Sequence, residues 1–318
     1  WEGFIAMAQA ENLRLCEPPL DDIEVNQIAH SVFKRYQPTQ EIVEPTIDDS
    51  AFYGILGKIV NLIKDETEAS KEALLFQAIV ILGNLFDRKF YMTINGSNIY
   101  TNEFSLMVGK TSKARKGTGF KAIAYFFKKG WGKVFEDRIK RGISTGEGII
   151  WAIHDDVFRE FIDKSGQRKR KLEHAGIENK NLIFLEEEFS KPIKNGRREN
   201  NNLSETLRVA FDSDTLQSLS KTQPATASNP NISLIGHTTK EEFTKVLNDV
   251  DKDNGMFNRI LFAHSYRANI LPHPKDFDLI LNESGILMDL YVLKDFIDKS
   301  KPTKITFTYE ASDWWNKF

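Results

Sequence analysis

The spacing of hydrophobic residues divides the chain into helical and strand-like stretches. Helical spacing predicts helices within the first 40 residues, from Phe52 to Ile63 and from Leu74 to Phe86. From about residue 97 onwards the pattern changes to short, uninterrupted apolar runs, which are typical of strands buried on both faces of a parallel sheet. Because helical segments separate these runs, the pattern predicts an α/β fold with a mainly parallel sheet. The runs lie within 97–108, 181–189, 231–239 and 260–263.

The segments between the predicted strands carry patterns of their own. We predict a helix directly after the loop 109–118, a second helix from Ile149 to Phe161 and a third within the polar stretch 200–221. Ser165–Glu173 has the glycine and the charged residues of an exposed hairpin tip. Four regions follow from these predictions: a small helical module (1–40), a helical linker or subdomain (41–95), a core (96–275) and the start of a C-terminal helical region (276–318).

The loop after the first predicted strand reads Val108-Gly-Lys-Thr-Ser-Lys-Ala-Arg-Lys-Gly-Thr118. A strand, a glycine-opened loop with Lys and Thr, and a helix together form a phosphate cradle, in which backbone N–H groups and the helix N-terminus face the anion. The loop departs from the standard form GxxxxGK[ST], because Arg115 precedes Lys116 and Gly117 separates Lys116 from Thr118. A basic turn in solvent is the alternative. The candidate phosphate-binding residues are Gly109, Lys110, Thr111, Ser112, Lys113, Ala114, Arg115, Lys116, Gly117 and Thr118.

Acidic residues follow the strand predicted at Leu182–Leu185. Glu186, Glu187 and Glu188 come at its carboxyl end, the edge at which open α/β sheets bind ligands. One carboxylate there can hold Mg²⁺ while a neighbour orients an attacking water. Asp-Glu is the usual pair at these places, so the roles stay open among the three glutamates, and an acidic cap on a buried strand is the structural alternative. Our candidates are Glu186 as a metal ligand, and Glu186 and Glu187, together with Lys116, as catalytic residues.

Two later strands also have polar residues at their ends. His237, Thr238 and Thr239 end the run 231–239 and are candidates for contact with a terminal phosphate, with packing alone as the alternative. Arg259 comes directly before the last apolar run. An arginine in that place can reach the nucleotide of a neighbouring subunit and stabilise charge on the transferring phosphoryl group. A surface ion pair is the structural alternative for Arg259.

Composition narrows the class of protein. With 318 residues, of which 41% are hydrophobic, the chain can bury a substantial core. Its net charge of -2 conceals a basic stretch at 109–141, where eleven Lys or Arg oppose two acidic residues, a pattern that fits either polyanion contact or a solvated helix face. The single cysteine, Cys16, excludes an intrachain disulfide and favours a reducing compartment. No apolar run reaches membrane-spanning length, and the histidines lack the spacing of zinc ligands.

Five segments, taken together and in order, resemble the ATPase domain of primase–helicase proteins of phages, plasmids and other mobile elements. The resemblance covers roughly residues 50–275, and the first 40 residues resemble the helical module that follows the catalytic domain of such primases. In this family the ARKGT form of the loop is usual, so the resemblance implies that Lys116 contacts the β- and γ-phosphates and that Thr118 faces Mg²⁺. The segments are VGKTSKARKGT (108–118), RGISTGEGII (141–150), LIFLEEEF (182–189), NPNISLIGHTT (229–239) and GMFNRILF (255–262).

The resemblance implies a RecA-like or AAA-type P-loop NTPase core that uses ATP and Mg²⁺, assembles into a ring such as a hexamer and translocates on DNA. We therefore expect the helicase part of a replication protein, a piece of a longer chain, in the cytoplasm of a bacterial or phage-infected cell. Its expected partners are single-stranded or forked DNA, further copies of itself and a primase domain in the same or a neighbouring chain, with no membrane. Two alternatives are an ATP-gated DNA-binding or helicase-loader module with little turnover, and a defence-related ATPase on the same core.

Overall fold

The computed structural model describes residues 2–35, 45–110, 115–198, 201–219, 224–246 and 255–317. The chain divides into two compact units, Trp1–Thr46 and Ile47–Phe318. The described part of the first unit holds two helices, α1 (Glu2–Leu15) and α2 (Asp22–Arg35), which meet at Phe4 and Phe33 with ring centroids 5.6 Å apart. The Asp21 carboxylate accepts a hydrogen bond from the backbone N–H of Glu24 at 2.8 Å, so Asp21 caps α2.

The second unit contains the remaining elements of the described chain, eleven α-helices and twelve strands. They are, in order, α3 (Gly54–Ile63), α4 (Lys71–Leu85), β1 (Phe90–Ile94), β2 (Ser97–Tyr100), β3 (Phe104–Val108), α5 (Lys116–Trp131), α6 (Lys133–Arg138), β4 (Ile139–Lys140), α7 (Gly146–Ala152), β5 (Val157–Ile162), β6 (Arg168–His174) and β7 (Asn181–Glu186). There follow α8 (Ser190–Gly196), α9 (Leu203–Phe211), β8 (Leu216–Ser218), β9 (Ala225–Ala227), β10 (Asn231–Thr238), α10 (Lys240–Val246), β11 (Ile260–His264), α11 (Phe277–Ser284), α12 (Ile286–Lys299), β12 (Thr303–Lys304) and α13 (Tyr309–Trp315).

Five of the strands form a central sheet in the order β11–β3–β10–β7–β4. Every neighbouring pair in it is parallel. The prediction of an α/β fold with a parallel sheet is therefore confirmed. The register brings the carboxyl ends of the strands to one edge. At this edge Thr238 of β10 pairs with Val108 of β3, and Gly236 of β10 pairs with Glu186 of β7.

Both faces of this sheet are buried, which accounts for the uninterrupted apolar runs. Along β7, Leu182 and Phe184 belong to one hydrophobic cluster, whereas Ile183 and Leu185 belong to the other. Alternate side chains of a strand point to opposite faces, so a strand covered on both sides needs an apolar residue at every position. Helices α3, α4, α5 and α12 cover one face, and α7 and α9 cover the other.

Two predictions about elements are wrong. The stretch 97–108 is not one strand, because β2 pairs with β1 in a separate three-stranded sheet and only β3 enters the central sheet. The helix predicted from Ile149 to Phe161 ends at Ala152. The residues beyond it form β5, which pairs antiparallel with β6. The predicted hairpin tip is thus the turn and second strand of a two-stranded ribbon.

Candidate functional site

The central sheet has a crevice between β3 and β10, which are neighbours. After β3 the chain enters α5 on one face of the sheet, whereas after β10 it enters α10, whose Phe243 packs on the opposite face. Connections that leave adjacent parallel strands towards opposite faces open a crevice at the carboxyl edge, and open α/β sheets bind their ligands there. The topology therefore selects the loop after β3 and the end of β10 as the candidate site.

The start of α5 is shaped by an unusual backbone conformation at Arg115. This residue precedes the helix with φ 48° and ψ 28°, the left-handed region that residues other than glycine rarely adopt. Conformations of this kind cost on the order of 1–3 kcal/mol and concentrate at ligand-binding sites. The turn at Arg115 directs the first N–H groups of a 16-residue helix towards the crevice, where they and the helix dipole favour an anion.

Lys116 is the first residue of α5, and its side chain folds back over the loop. Its Nζ donates to the carbonyl oxygens of Gly109 at 2.9 Å and Lys110 at 3.3 Å. The Gly109 N–H donates in turn to the Thr238 carbonyl at 3.2 Å, which ties the loop to β10. Burial lowers the pKa of the Lys116 ammonium, and the carboxylates of Glu242 and Glu241 act in the opposite direction. The predicted loop residues Thr111, Ser112, Lys113 and Ala114 lie outside the described residues.

A cleft of about 360 Å³ lies in front of the start of α5. The structure brings three of the predicted site groups together there: the loop end at Arg115–Thr118, which includes Lys116, and the side chains of Glu187 and His237. Gly117 lies so near Glu187 that a Cβ on it would be 4.0 Å from Glu187 Oε1. The cleft thus combines a lysine, a helix N-terminus, a hydroxyl group and one exposed carboxylate.

The three glutamates after β7 have different surroundings. Glu187 is exposed and lines the cleft, whereas Glu188 points into solvent and pairs with Lys191 at 2.8 Å. Glu186 is 7% exposed, and its Oε1 accepts the backbone N–H of Ile143 at 2.8 Å. Glu186 therefore fastens the loop between β4 and α7 to the end of β7. Of the three, Glu187 is the carboxylate that the structure brings to the cleft.

His237 reaches the cleft from β10 with a fixed ring orientation. Its Nε2 lies 3.2 Å from Gln77 Oε1, and the Gln77 amide nitrogen donates to the Ala73 carbonyl at 2.8 Å. Because the amide nitrogen is engaged in that way, the amide oxygen faces the ring, so Nε2 carries the proton and Nδ1 is the acceptor. Burial, and next the positive charge of Lys116, lower the pKa of His237 to about 3. The ring is therefore neutral at neutral pH.

The hydroxyl groups of the two threonines that follow His237 form hydrogen bonds with the backbone. Thr238 is buried, and its hydroxyl donates to the Thr239 carbonyl at 3.3 Å. The Thr239 hydroxyl accepts the N–H of Glu242 at 3.0 Å and so caps α10. Neither is among the residues that line the cleft.

Glu68, Gln77 and Lys121 were not found by reasoning from the sequence. Glu68 Oε2 lies 2.5 Å from Arg115 Nε, and the other oxygen of Glu68 pairs with Arg267. Glu68 therefore fixes the side chain of Arg115, the residue with the left-handed backbone conformation. The Arg267 contact, more than any other, lowers the pKa of Glu68. Lys121 lines the cleft one helical turn after Thr118, and this i, i+3 spacing is the signal that could have found it.

Arg259 lies away from the cleft of its own chain. It precedes β11, whose first residue Ile260 pairs with Phe104, so it stands at the edge where β3 begins. Five residues of strand separate that edge from the phosphate loop, about 17 Å at 3.3 Å per residue. The Arg259 guanidinium binds the Asp212 carboxylate at 2.8 Å and the Gly255 carbonyl at 3.2 Å.

The basic stretch 109–141 does not present one continuous cationic surface among the described residues. Lys128, Lys129 and Arg138 each form an ion pair with a carboxylate of this chain, at 2.5, 2.7 and 2.7 Å. The Arg138 side chain is also buried, being 7% exposed. Three further cations of the stretch, Arg115, Lys116 and Lys121, line the cleft. The stretch is therefore divided between the cleft, internal ion pairs and solvent.

The donor set of the cleft fits Mg²⁺ bound together with phosphate. Within the described ranges, no three His, Cys, Asp or Glu side chains converge into a group that could hold a metal ion by themselves. Magnesium in nucleotide sites needs no such cage, because one or two protein oxygens suffice when phosphates and waters complete the octahedron. Thr118 and Glu187, which line the same cleft, supply oxygens of the right type.

Comparison with known proteins identifies no relative: no protein-family model and no curated protein matches the chain. Among the residues that the structure describes, no helix combines the length and the hydropathy needed to cross a membrane.

Proposed function

We propose that this protein is an ATP hydrolase with a RecA-like or AAA-type P-loop core, and that hydrolysis drives movement on DNA. The observation that carries the proposal is the position of the cleft. Lys116 and Thr118 follow β3, Glu187 follows β7 and His237 ends β10, so groups from three strand ends meet at the crevice where α/β sheets bind ligands. The resemblance to primase–helicase ATPase domains supports the same function.

Lys116 and the N-terminus of α5 provide the positive charge of the site. With phosphates in the cleft, Lys116 exchanges the carbonyl oxygens of Gly109 and Lys110 for phosphate oxygens, a stronger partner because both groups are charged. The same charge stabilises the γ-phosphoryl group as it leaves the β-phosphate oxygen. Thr118 would hold Mg²⁺, which would neutralise charge on the β- and γ-phosphates, and Glu187 is left for the attacking water.

Glu187 and His237 are the residues that we assign to the attacking water. Glu187 is the exposed carboxylate at the cleft and orients the water for in-line attack on the γ-phosphorus. His237 is neutral and presents an acceptor nitrogen, so it can accept a hydrogen bond from that water or from a protonated phosphate. Glu186 supports this arrangement by holding the backbone at Ile143.

The ribbon of β5 and β6 is our candidate for DNA contact. Arg159 lies directly opposite Lys171, and by alternation Phe161 and Lys169 share that face. Among the described residues neither Arg159 nor Lys171 has a carboxylate partner, although like charges directly opposite each other destabilise a hairpin. A cationic face around an aromatic ring is what single-stranded nucleic acid binds.

ATP turnover with and without single-stranded DNA tests the proposal. The full chain should hydrolyse ATP, DNA should raise the rate, and Lys116→Ala should abolish it, because we assign Lys116 to the charge that develops on the β- and γ-phosphates. Lys133→Ala is the matched control: it removes the same side chain from an exposed position outside the cleft and should leave the rate unchanged.

Two outcomes would overturn parts of the proposal. Tight binding of MgATP that Lys116→Ala removes, without turnover in any condition, would favour the ATP-gated loader. Equal ATP binding by the wild-type chain and Lys116→Ala would refute the assignment of the phosphate site.

A further inference from the structure

A second cleft, of about 540 Å³, adjoins the phosphate cleft. Three segments form its walls: the loop Glu66–Glu68 ahead of α4, one side of α5, and the stretch from Leu271 to Phe277 after β11. Its lining is mainly apolar. The volume lies within the range of about 300–1,000 Å³ that is usual for small-molecule sites.

The two clefts are continuous along α5. Thr118 and Lys121 line both of them, and residues three apart on a helix lie on the same side. Glu68 connects the clefts a second time, since it lines the apolar one while its carboxylate binds Arg115, which lines the other. A ligand anchored by phosphates at the start of α5 therefore extends into the second cleft as its next available space.

The walls of the second cleft suit a flat aromatic group. Leu271, Pro274, Tyr125 and Phe277 are among its apolar lining residues, and the ring centroids of Tyr125 and Phe277 are 5.7 Å apart. These rings are held in place without a ligand, because the Tyr125 hydroxyl and Lys129 both bind the Asp278 carboxylate. A preformed site of this kind costs little ordering on binding.

The geometry points to a site for the base and ribose of a nucleoside triphosphate in this second cleft. The assignment rests on the proposed function, because it takes the phosphates of the same molecule to lie at Lys116. A nucleobase has apolar faces that can pack on residues such as Leu271 and Phe277 and a polar edge that Thr67 or Asp276 can bind, and all four residues line the cleft. The apolar cleft would then make the protein selective for nucleotides over inorganic phosphates, a selectivity that the phosphate cleft alone cannot provide.

Paired titrations with MgATP and with inorganic triphosphate in Mg²⁺ test this assignment on the full chain. Leu271→Ala shortens the wall, and Leu271→Trp fills the cleft with an indole. We expect Leu271→Ala to weaken ATP binding by about three- to tenfold, from the loss of apolar contact, and Leu271→Trp to weaken it by at least about tenfold. Leu279→Ala makes the same truncation at a position that is 55% exposed, and it should change nothing.

Inorganic triphosphate separates the two levels of the proposal. Its affinity should be the same in all four proteins, which also shows that the variants are folded. If ATP binds no more tightly than triphosphate, or if the two affinities fall in parallel in the Leu271 variants, the second cleft does not take the base, although the phosphate site stands. If neither ligand binds the wild-type chain, the phosphate site fails and the base site fails with it.

Discussion

At the scale of single residues, the cleft is organised by polar side chains on α4 and the loop before it. Gln77 fixes the ring of His237, and Glu68 holds Arg115 in its left-handed conformation. Gly119 allows this closeness, because a Cβ there would lie 3.0 Å from Ala69 Cβ and 3.2 Å from Gln77 Nε2. The helix that carries Lys116 thus packs directly on the helix that orients His237.

His237 predicts how stability depends on pH. Its pKa in the folded chain, about 3, lies below the usual 6.5, so between these values the unfolded chain binds the extra proton. The free energy of unfolding therefore falls as the pH falls from 6.5 towards 3, and His237 contributes roughly 3 kcal/mol of that fall by pH 4. His237→Gln keeps a donor for Gln77 but cannot titrate, so its stability should depend less on pH.

Urea unfolding of both proteins at pH 7, 5.5 and 4 measures this effect. All other titrating groups are common to the two chains and cancel in the difference between their unfolding free energies. Parallel stability curves would show that the ring of His237 is protonated in the folded chain at acid pH.

At the scale of elements, the ribbon of β5 and β6 gives a prediction about DNA. Replacing Arg159 and Lys171 together by Ala removes two cations from one face. For single-stranded DNA, the plot of log affinity against log salt should then become shallower by about 1.4, since each phosphate contact contributes about 0.7. The ribbon should remain folded, because the substitution also removes a cross-strand repulsion.

The matched control removes two cations elsewhere on the same ribbon. Arg168 lies opposite Ile162 on the other face, and Lys164 lies in the turn. A double change to Ala at these positions should leave the salt dependence unaltered. An equal change of slope in both double variants would show that the ribbon acts only through its net charge.

The strands show how far sequence patterns determine the fold. Runs such as Leu182–Leu185 are buried on both faces, so the uninterrupted apolar pattern alone predicts a strand in the interior of a sheet. Their polar ends then had to meet at one edge, which is why Lys116, Thr118, Glu187 and His237 were found from the sequence. This inference needs no contact between distant elements.

The errors and omissions depend on contacts that no local pattern encodes. The apolar residues from Ile149 to Phe161 fit a helix, but β6, a separate segment, pairs with Val157–Ile162 and extends it as a strand. Gln77 and Glu68 contact cleft residues, His237 and Arg115, only because α4 packs beside α5. A lone glutamine in an apolar helix was the visible signal for Gln77, whereas nothing in the sequence near Glu68 indicates its contact with Arg115.

At the scale of the whole molecule, the position of Arg259 requires that any catalytic role be in a neighbouring subunit. It lies about 17 Å from the phosphate loop of its own chain, by the length of β3. Its ion pair with Asp212 must break or be shared before the guanidinium can reach another nucleotide. A structural role and a role in a neighbour's cleft therefore predict different effects of changing Asp212.

Turnover of two variants and of their mixture separates these roles. If Arg259 acts on the neighbour's nucleotide, Arg259→Ala should bind ATP normally and lose turnover by at least about 10³-fold, as for other arginines of this type. Asp212→Asn breaks the same ion pair but keeps the arginine, so it should retain turnover. Equal losses in the two variants would mean that the ion pair only holds the end of α9 against the turn before β11.

Mixing Arg259→Ala with Lys116→Ala gives the strictest test of assembly. We expect each variant to be inactive alone, whereas a mixed oligomer would contain interfaces at which an intact Lys116 faces an intact Arg259. The mixture should therefore recover part of the wild-type rate, and the recovery should increase with protein concentration as oligomers form. A mixture no more active than the sum of its components would place every group required for hydrolysis within one chain and exclude Arg259 from the reaction.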